Sequence, residues 1–266
     1  MDKESLRREK ARQSYEQLRQ RPRSKHDTPS LQAIFDPGHE TLVQGLDRFH
    51  ALIAGFVGTS SFFEGWIIVR TPEEQASGRG FDILRHKDEH LSFLRGKGKR
   101  DAYFLISALA TSRQIENNIP LNVTATCNYS GGQDEQRHDR FSLNFYIPPE
   151  DRNLTLQEYL TVIRSIVEWR EPRMISVGSG TYSTYDRVFW NRAWDGWIGW
   201  FPQEISPSVL PDFALTWRIG NGTAVATQET NVLSRFPDQK EKANELEIAL
   251  VDAGVLPTES ELKEAR

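Results

Sequence analysis

Two histidines four residues apart, His86 and His90, are the first residues whose types and spacing suggest chemistry. On a helix this spacing places both imidazoles on one face, as in the zinc proteases that carry the HExxH motif. Those enzymes need a glutamate directly after the first histidine, and this chain has Lys87 there. No third ligand is evident in the sequence, so the pattern favours a polar helix face over a metal site.

A serine nucleophile is also hard to support from the sequence. Ser179 lies in a VGSG sequence that differs from the G-x-S-x-G turn of α/β-hydrolases, and no histidine follows His138 to complete their Ser…Asp…His order. Two acid-x-Lys triplets, which begin at Asp238 and Glu261, match the pattern of metal-dependent nucleases but lie in a charged region where such triplets arise by chance. The sequence therefore predicts no enzyme activity, no cofactor and no resident metal.

Tryptophan is concentrated in one short stretch. Residues 188–202 contain four of the seven tryptophans of the chain, namely Trp190, Trp194, Trp197 and Trp200. Each indole buries roughly 200 Å² and has an N–H that needs a partner, so the stretch is either a dense part of the core or a binding face. The two glycines inside the stretch disfavour a helix, and we interpret it as an irregular turn followed by a strand over 197–201.

Charge is unevenly distributed along the chain. The net charge is −4, from 33 Lys and Arg against 37 Asp and Glu. Residues 1–30 contain nine basic and five acidic residues, a net +4, so the other 236 residues carry −8. An acidic body disfavours nucleic-acid binding, which needs a basic face for phosphates. It favours a basic protein partner, because opposite charges accelerate encounter.

Several features of the sequence predict a cytoplasmic protein that does not contact a membrane. The chain has no run of about 18 apolar residues, which a membrane span requires. Its charged N-terminus lacks the apolar region of a signal peptide. Cys127 is the only cysteine, which excludes an intrachain disulfide and fits a reducing compartment.

The hydrophobic pattern predicts helices and strands in a mixed order. Apolar residues at helical spacing predict helices over 39–57, 84–94, 154–170 and about 238–253, the last with a strand as the alternative. Strands are predicted over 65–70, 121–129, 140–147, 174–178 and, with a turn, 215–227, while 102–111 fits a strand or a buried helix. Because the helices flank antiparallel-looking strands without strict β–α alternation, the predicted fold class is α+β, a largely antiparallel sheet flanked by helices.

One domain is expected to contain almost all of these elements. Residues 1–30 are rich in Arg, Glu, Gln and Lys and poor in apolar side chains, and we interpret them as a basic helical or flexible arm. Residues 31–257 form the predicted α+β domain, and residues 258–266 form a polar tail.

Four segments carry a recognisable set of motifs. The first is Gly65-Trp66 with the GKGKRD segment that begins at Gly96, and the second is the CNYS sequence from Cys127 with the apolar strand that ends at Pro148. The third is VFW from Val188 with GWIGWFP from Gly196, and the fourth is Ala243-Asn244 with residues 248–257. Over about residues 60–257, these segments resemble the Immunity protein 52 family of bacterial polymorphic-toxin systems.

The resemblance implies a cytoplasmic antidote without catalysis of its own. Members of the family neutralise a nuclease toxin with a restriction-endonuclease-like fold, delivered by contact-dependent secretion such as the type VI system. The expected partner is therefore a cognate nuclease toxin whose basic cleft an acidic inhibitor would match. The basic arm and the polar loop at 131–139 depart from the family pattern.

The candidate contact surface combines carboxylates with aromatic residues in irregular segments, where binding residues concentrate. These residues are Tyr182, Tyr185, Asp186, Trp194 and Asp195. The alternative interpretation is that they pack in the core. Two other function classes stay open: a carbohydrate- or peptide-binding module that uses the Trp-rich face, and a small metal-dependent hydrolase.

Overall fold

The computed structural model describes residues 28–262 except for gaps at 39, 72–73, 75–79, 97–103, 112–122, 130–137, 146–153 and 234, together with six helical residues between 9 and 17. The strands are β1 (Pro29–Phe35), β2 (Gly65–Ile68), β3 (Phe81–Asp82), β4 (Phe104–Thr111), β5 (Val123–Tyr129), β6 (Asp139–Phe145), β7 (Met174–Ser179), β8 (Gly196–Phe201), β9 (Leu215–Ile219) and β10 (Gly222–Ala226). The α-helices of the body are α1 (Leu42–Phe56), α2 (Lys87–Gly96), α3 (Leu156–Trp169) and α4 (Pro237–Asp252). The described residues also include a π-helix (Tyr182–Asp186) and a 3₁₀ turn (Pro207–Val209).

The ten strands form one sheet in the order β3-β2-β4-β5-β6-β1-β7-β8-β10-β9. Every neighbouring pair is antiparallel, which confirms the predicted α+β class. The uncertain stretch over 102–111 contains strand β4, paired with β2 and β5. The sequence prediction missed β1, although this strand lies in the middle of the sheet. Leu31, Ala33 and Phe35 alternate with Gln32 and the apolar Ile34, so the pattern is incomplete, and it lies beside the polar arm.

Helices α1 and α3 cover one face of the sheet. Both begin with a capping box, in which Thr41 pairs with Gln44 and Thr155 with Glu158, so each side chain satisfies a free N–H of the first turn. The periodic apolar residues of each helix then point at the sheet. Tyr159 of α3, for example, meets the ring of Trp197 edge-on at 5.1 Å.

The opposite face of the central strands is polar. The pairing register aligns one residue from each of five neighbouring strands in a row, and paired residues of an antiparallel sheet point to the same side. The row consists of Ser107, Thr126, Ser142, Gln32 and Ser176. Its next position, on β8, is Gly199. From this point a second layer, formed by α4 and the residues between β7 and β8, covers the sheet.

Both ends of the predicted domain extend further than the sequence indicated. Strand β1 begins at Pro29, inside the predicted arm. At the other end, Arg173 donates hydrogen bonds to the backbone carbonyls of Glu261 (2.7 Å) and Leu262 (3.0 Å), so the first residues of the predicted tail pack on the sheet. No helix within the described residues is long and apolar enough to cross a membrane.

A buried pair of histidines joins α2 to α1. Nε2 of His50 lies 2.9 Å from Nδ1 of His90, and the two rings stack with centroids 5.1 Å apart. Burial lowers the pKa of each imidazole to about 4, helped by the charge of Lys87 at His50 and by His50 at His90. His86 packs beside Phe81 instead. Within the described residues no group of three or more His, Cys, Asp or Glu side chains is arranged to hold a metal ion.

The histidine pair makes stability depend on pH. In the unfolded chain both imidazoles bind protons below about pH 6.5, whereas the folded protein resists protonation down to about pH 4. We therefore expect the free energy of unfolding to fall steadily from pH 6.5 to pH 4 and then to level off. Urea unfolding across this range measures it. The double variant His50→Gln/His90→Asn should lose most of the slope, while His86→Asn should keep it; equal slopes in all three proteins would contradict the assignment.

Candidate functional site

Glu247, on the inner side of α4, is a completely buried acid that contacts the residues following the π-helix. Its Oε2 accepts hydrogen bonds from the Tyr182 hydroxyl and the Val188 N–H, and its Oε1 accepts one from the Phe189 N–H, each at 2.9 Å. Burial raises the pKa of Glu247, and these hydrogen bonds oppose that rise because they favour the ionised form. Residues 187–195, which we call the clamped loop, are thus held to α4 by one carboxylate.

Residues near the C-terminus hold the other side of the clamped loop. The guanidinium of Arg187 donates to the carbonyl of Arg192 at 2.9 Å and pairs with Glu259 at 3.4 Å. The Glu259 N–H in turn donates to the carbonyl of Asn191 at 2.9 Å, and Arg192 forms an isolated β-bridge with Thr258. These bonds satisfy backbone groups that a loop without regular structure would otherwise leave unpaired.

Glycines on β7 and β8 let the clamped loop lie directly on the sheet. A Cβ at Gly178 would come within 1.8 Å of the backbone oxygen of Asp195, and one at Gly199 within 2.7 Å of the Trp194 ring. Gly196 has φ +93°, a conformation that other residues rarely adopt, and Tyr182 packs against it. The glycines that disfavoured a helix in this stretch therefore serve close packing of two layers.

The structure separates the five predicted contact residues into two groups. Tyr182 and Trp194 are completely buried, and the Tyr182 hydroxyl contacts Glu247 and Asn244, so neither side chain belongs to the surface. Tyr185 and Asp186, on the π-helix, and Asp195, at the end of the clamped loop, are partly exposed. For these three a role in partner binding stays a prediction.

Three of the four clustered tryptophans are core residues. Trp194, Trp197 and Trp200 are at most 1% exposed, and the last two donate their N–H groups to the carbonyls of Gln228 and Ile219. The stacking platform that a Trp-rich carbohydrate-binding face requires is therefore not formed by these rings. Trp190 is the partly exposed member of the cluster, and the sequence prediction did not select it. No signal in the sequence separates it from Trp194, because the buried Trp194 also has a charged neighbour, Asp195.

Trp190 belongs to a mixed apolar and acidic patch. Val188 is 42% exposed, and Phe189 and Trp190 beside it are partly exposed. Tyr185 and Asp186 of the π-helix precede them along the chain. We call these five residues the loop surface. Their backbone is fixed by the bonds described above, so the side chains are presented in a defined arrangement.

The last part of the chain is strongly acidic at its surface. The described residues between 196 and 262 include nine exposed carboxylates and three exposed Lys or Arg residues. The acidic residues are Glu204, Asp212, Glu229, Asp238, Glu241, Glu245, Asp252, Glu259 and Glu261. Four of them, at positions 238, 241, 245 and 252, recur at spacings that place them along one side of α4. The field of this layer therefore attracts cationic partners.

A cleft of about 300 Å³ lies where the polar face of the sheet meets the clamped loop. The sheet contributes Gln32, Arg140 and Ser176, and the loop contributes Arg187, Trp194 and Asp195. Burial raises the pKa of Asp195, while a hydrogen bond with Ser176 and the nearby arginines lower it. Asp195 is thus a site residue predicted from sequence that the structure places in a cavity.

Comparisons with known proteins leave the family open. No protein-family model matches the sequence, and no curated protein is significantly similar to it. One solved structure that matches this chain is "Pseudomonas aeruginosa T6SS protein PA0821", with 14% identity, a TM-score of 0.49, and coverage of 84% of this chain and 76% of that one. At this identity and TM-score the likeness supports no conclusion about function. Membership of the Immunity protein 52 family therefore stays a prediction.

The role of Glu247 can be tested by truncation. Glu247→Ala leaves two buried N–H groups without their acceptor, and we expect it to lower the free energy of unfolding by about 2 to 4 kcal/mol. Glu245→Ala is the matched control, because Glu245 is exposed on the same helix and should change stability by less than about 0.5 kcal/mol. Chemical denaturation measures both variants. Equal stabilities would show that the carboxylate does not hold the loop.

Proposed function

We propose that this protein is an immunity protein, which binds and neutralises a cognate nuclease toxin by direct protein contact and performs no catalysis. The observation that carries the proposal is the loop surface, where Val188, Phe189 and Trp190 are presented on a fixed backbone beside Tyr185 and Asp186. Tryptophan and tyrosine are enriched among the residues that dominate binding energy in protein interfaces. A fixed loop also loses little conformational entropy on binding.

The charge distribution supports a basic partner. The acidic layer formed by α4 and its flanking segments exposes three times as many carboxylates as cations among the described residues from 196 to 262. A nuclease binds phosphates through a basic cleft, so attraction between the two surfaces accelerates their encounter. The sequence resemblance to an immunity family points to the same class of partner.

Neutralisation is the direct test of this function. We expect the reading frame beside this gene to encode a protein whose C-terminal nuclease domain kills a bacterial host when it is expressed alone. Co-expression of this chain should restore growth, and the two purified proteins should form a stable complex that no longer cleaves DNA or RNA. A neighbouring protein that is harmless alone, or equally toxic with this chain present, would refute the proposed function.

The loop surface is tested separately with the same pair of proteins. Trp190→Ala should weaken the complex by about 2 kcal/mol, roughly thirtyfold, if Trp190 is a central contact. Asp186→Lys should slow association. Val43→Ala and Glu168→Lys are matched controls, because both residues are exposed on helices that cover the other face of the sheet. If the loop variants bind as tightly and as fast as the controls, another surface makes the contact.

A further inference from the structure

Arg140 has an unusual position for a partly buried cation. It lies on β6 on the polar face of the sheet, opposite Ile34 in the pairing register, and it lines the cleft. Its guanidinium contacts a ring nitrogen of His138 at 3.0 Å, and among the described residues no carboxylate forms an ion pair with it. Its charge lowers the pKa of Asp195, which also lines the cleft. A planar guanidinium in this situation can bind an oxyanion through two parallel hydrogen bonds.

Two further hydrogen-bond donors of the cleft lack a partner within the described residues. Nε1 of Trp194 is buried and makes no hydrogen bond, although the Trp194 side chain is completely enclosed. Unpaired buried donors are uncommon because each costs about 1 to 3 kcal/mol. The side-chain amide of Gln32, which lies on the strand beside Arg140, also makes no hydrogen bond with any residue that the structure describes. Arg140 and Gln32 therefore supply N–H groups to one small cavity, whereas the Trp194 N–H is enclosed beside it.

The acidic residues of the cleft do not cancel this arrangement. Glu259 is already paired with Arg187. Asp195 is hydrogen-bonded with Ser176. The cavity volume of about 300 Å³ is at the small end of the range for ligand pockets. A compact ligand fits this space, whereas a polymer does not.

We propose that the cleft is a binding site for a small oxyanion, a carboxylate or phosphate group, that Arg140 binds and that Gln32 helps to orient. This site is distinct from the loop surface, because none of the five residues of the loop surface lines the cleft. An anion bound there contacts both the sheet and the second layer, so binding should also stabilise the folded protein.

Binding is measured by calorimetry and thermal unfolding of the full chain, with inorganic phosphate and glutamate as the two probes and sodium chloride at matched ionic strength as the reference. We expect saturable binding of at least one probe and a rise in Tm above the chloride reference. Tighter binding of phosphate or of glutamate then shows whether the site prefers a phosphate group or a carboxylate. The absence of saturable binding with both probes would overturn the proposal.

Three variants locate the site. Arg140→Gln should weaken binding of the preferred probe about tenfold or more. Arg140→Lys keeps the charge but loses the planar fork, so its affinity should lie between those of the wild type and Arg140→Gln. Arg164→Gln removes an exposed arginine of α3 on the other face and should leave binding unchanged. Wild-type affinity in a folded Arg140→Gln variant would show that the ions bind elsewhere.

Discussion

The carboxylate of Glu247 determines how the residues between β7 and β8 are arranged. An acid with no exposure to water is costly to bury unless its oxygens are hydrogen-bonded. Here both oxygens have partners, and two of these are backbone N–H groups of the clamped loop. The buried carboxylate needs hydrogen-bond donors and the loop N–H groups need acceptors, and the same bonds satisfy both. Neither α4 nor the loop can therefore shift without breaking them.

The cleft and the loop surface both follow from this constraint. The clamped loop lies against β7 and β8 on its inner side, where Trp194 covers Gly199 and the cleft remains beside it. Its outer side presents Val188, Phe189 and Trp190. A segment without helix or strand can thus form a defined surface, because buried hydrogen bonds and ion pairs replace the missing secondary structure. Defined surfaces of this kind favour binding with a small entropic cost.

The sequence predicted the parts of the fold in which local signals agree. Helix α3 combines a capping box with an unbroken apolar face, and β8 combines glycines with a run of aromatic residues, so both were predicted correctly. Strand β1 was missed, because its alternation is short and adjoins a polar arm. Its central position depends on pairing with β6 and β7, which lie more than a hundred residues away along the chain.

The candidate site was only partly visible in the sequence. The sequence pointed to the stretch that contains the loop surface, but Tyr182 and Trp194 are buried while Trp190 reaches the surface. Composition alone cannot rank neighbouring indoles by exposure. Glu247 gave no signal at all, since a glutamate within a charged helix is normally solvated. Its burial depends on the tertiary packing of α4 against the π-helix, and Arg140 likewise becomes notable only through the strands and the loop that surround it.

Amide hydrogen exchange at Val188 and Phe189 tests the central role of Glu247 most directly. If their N–H groups are bound to a buried carboxylate, exchange measured by NMR at neutral pH should be slow, within about tenfold of the amides of β8, because opening the loop then requires near-global unfolding. Exchange at the rate of an unstructured peptide, in a protein whose β8 amides are protected, would contradict the account.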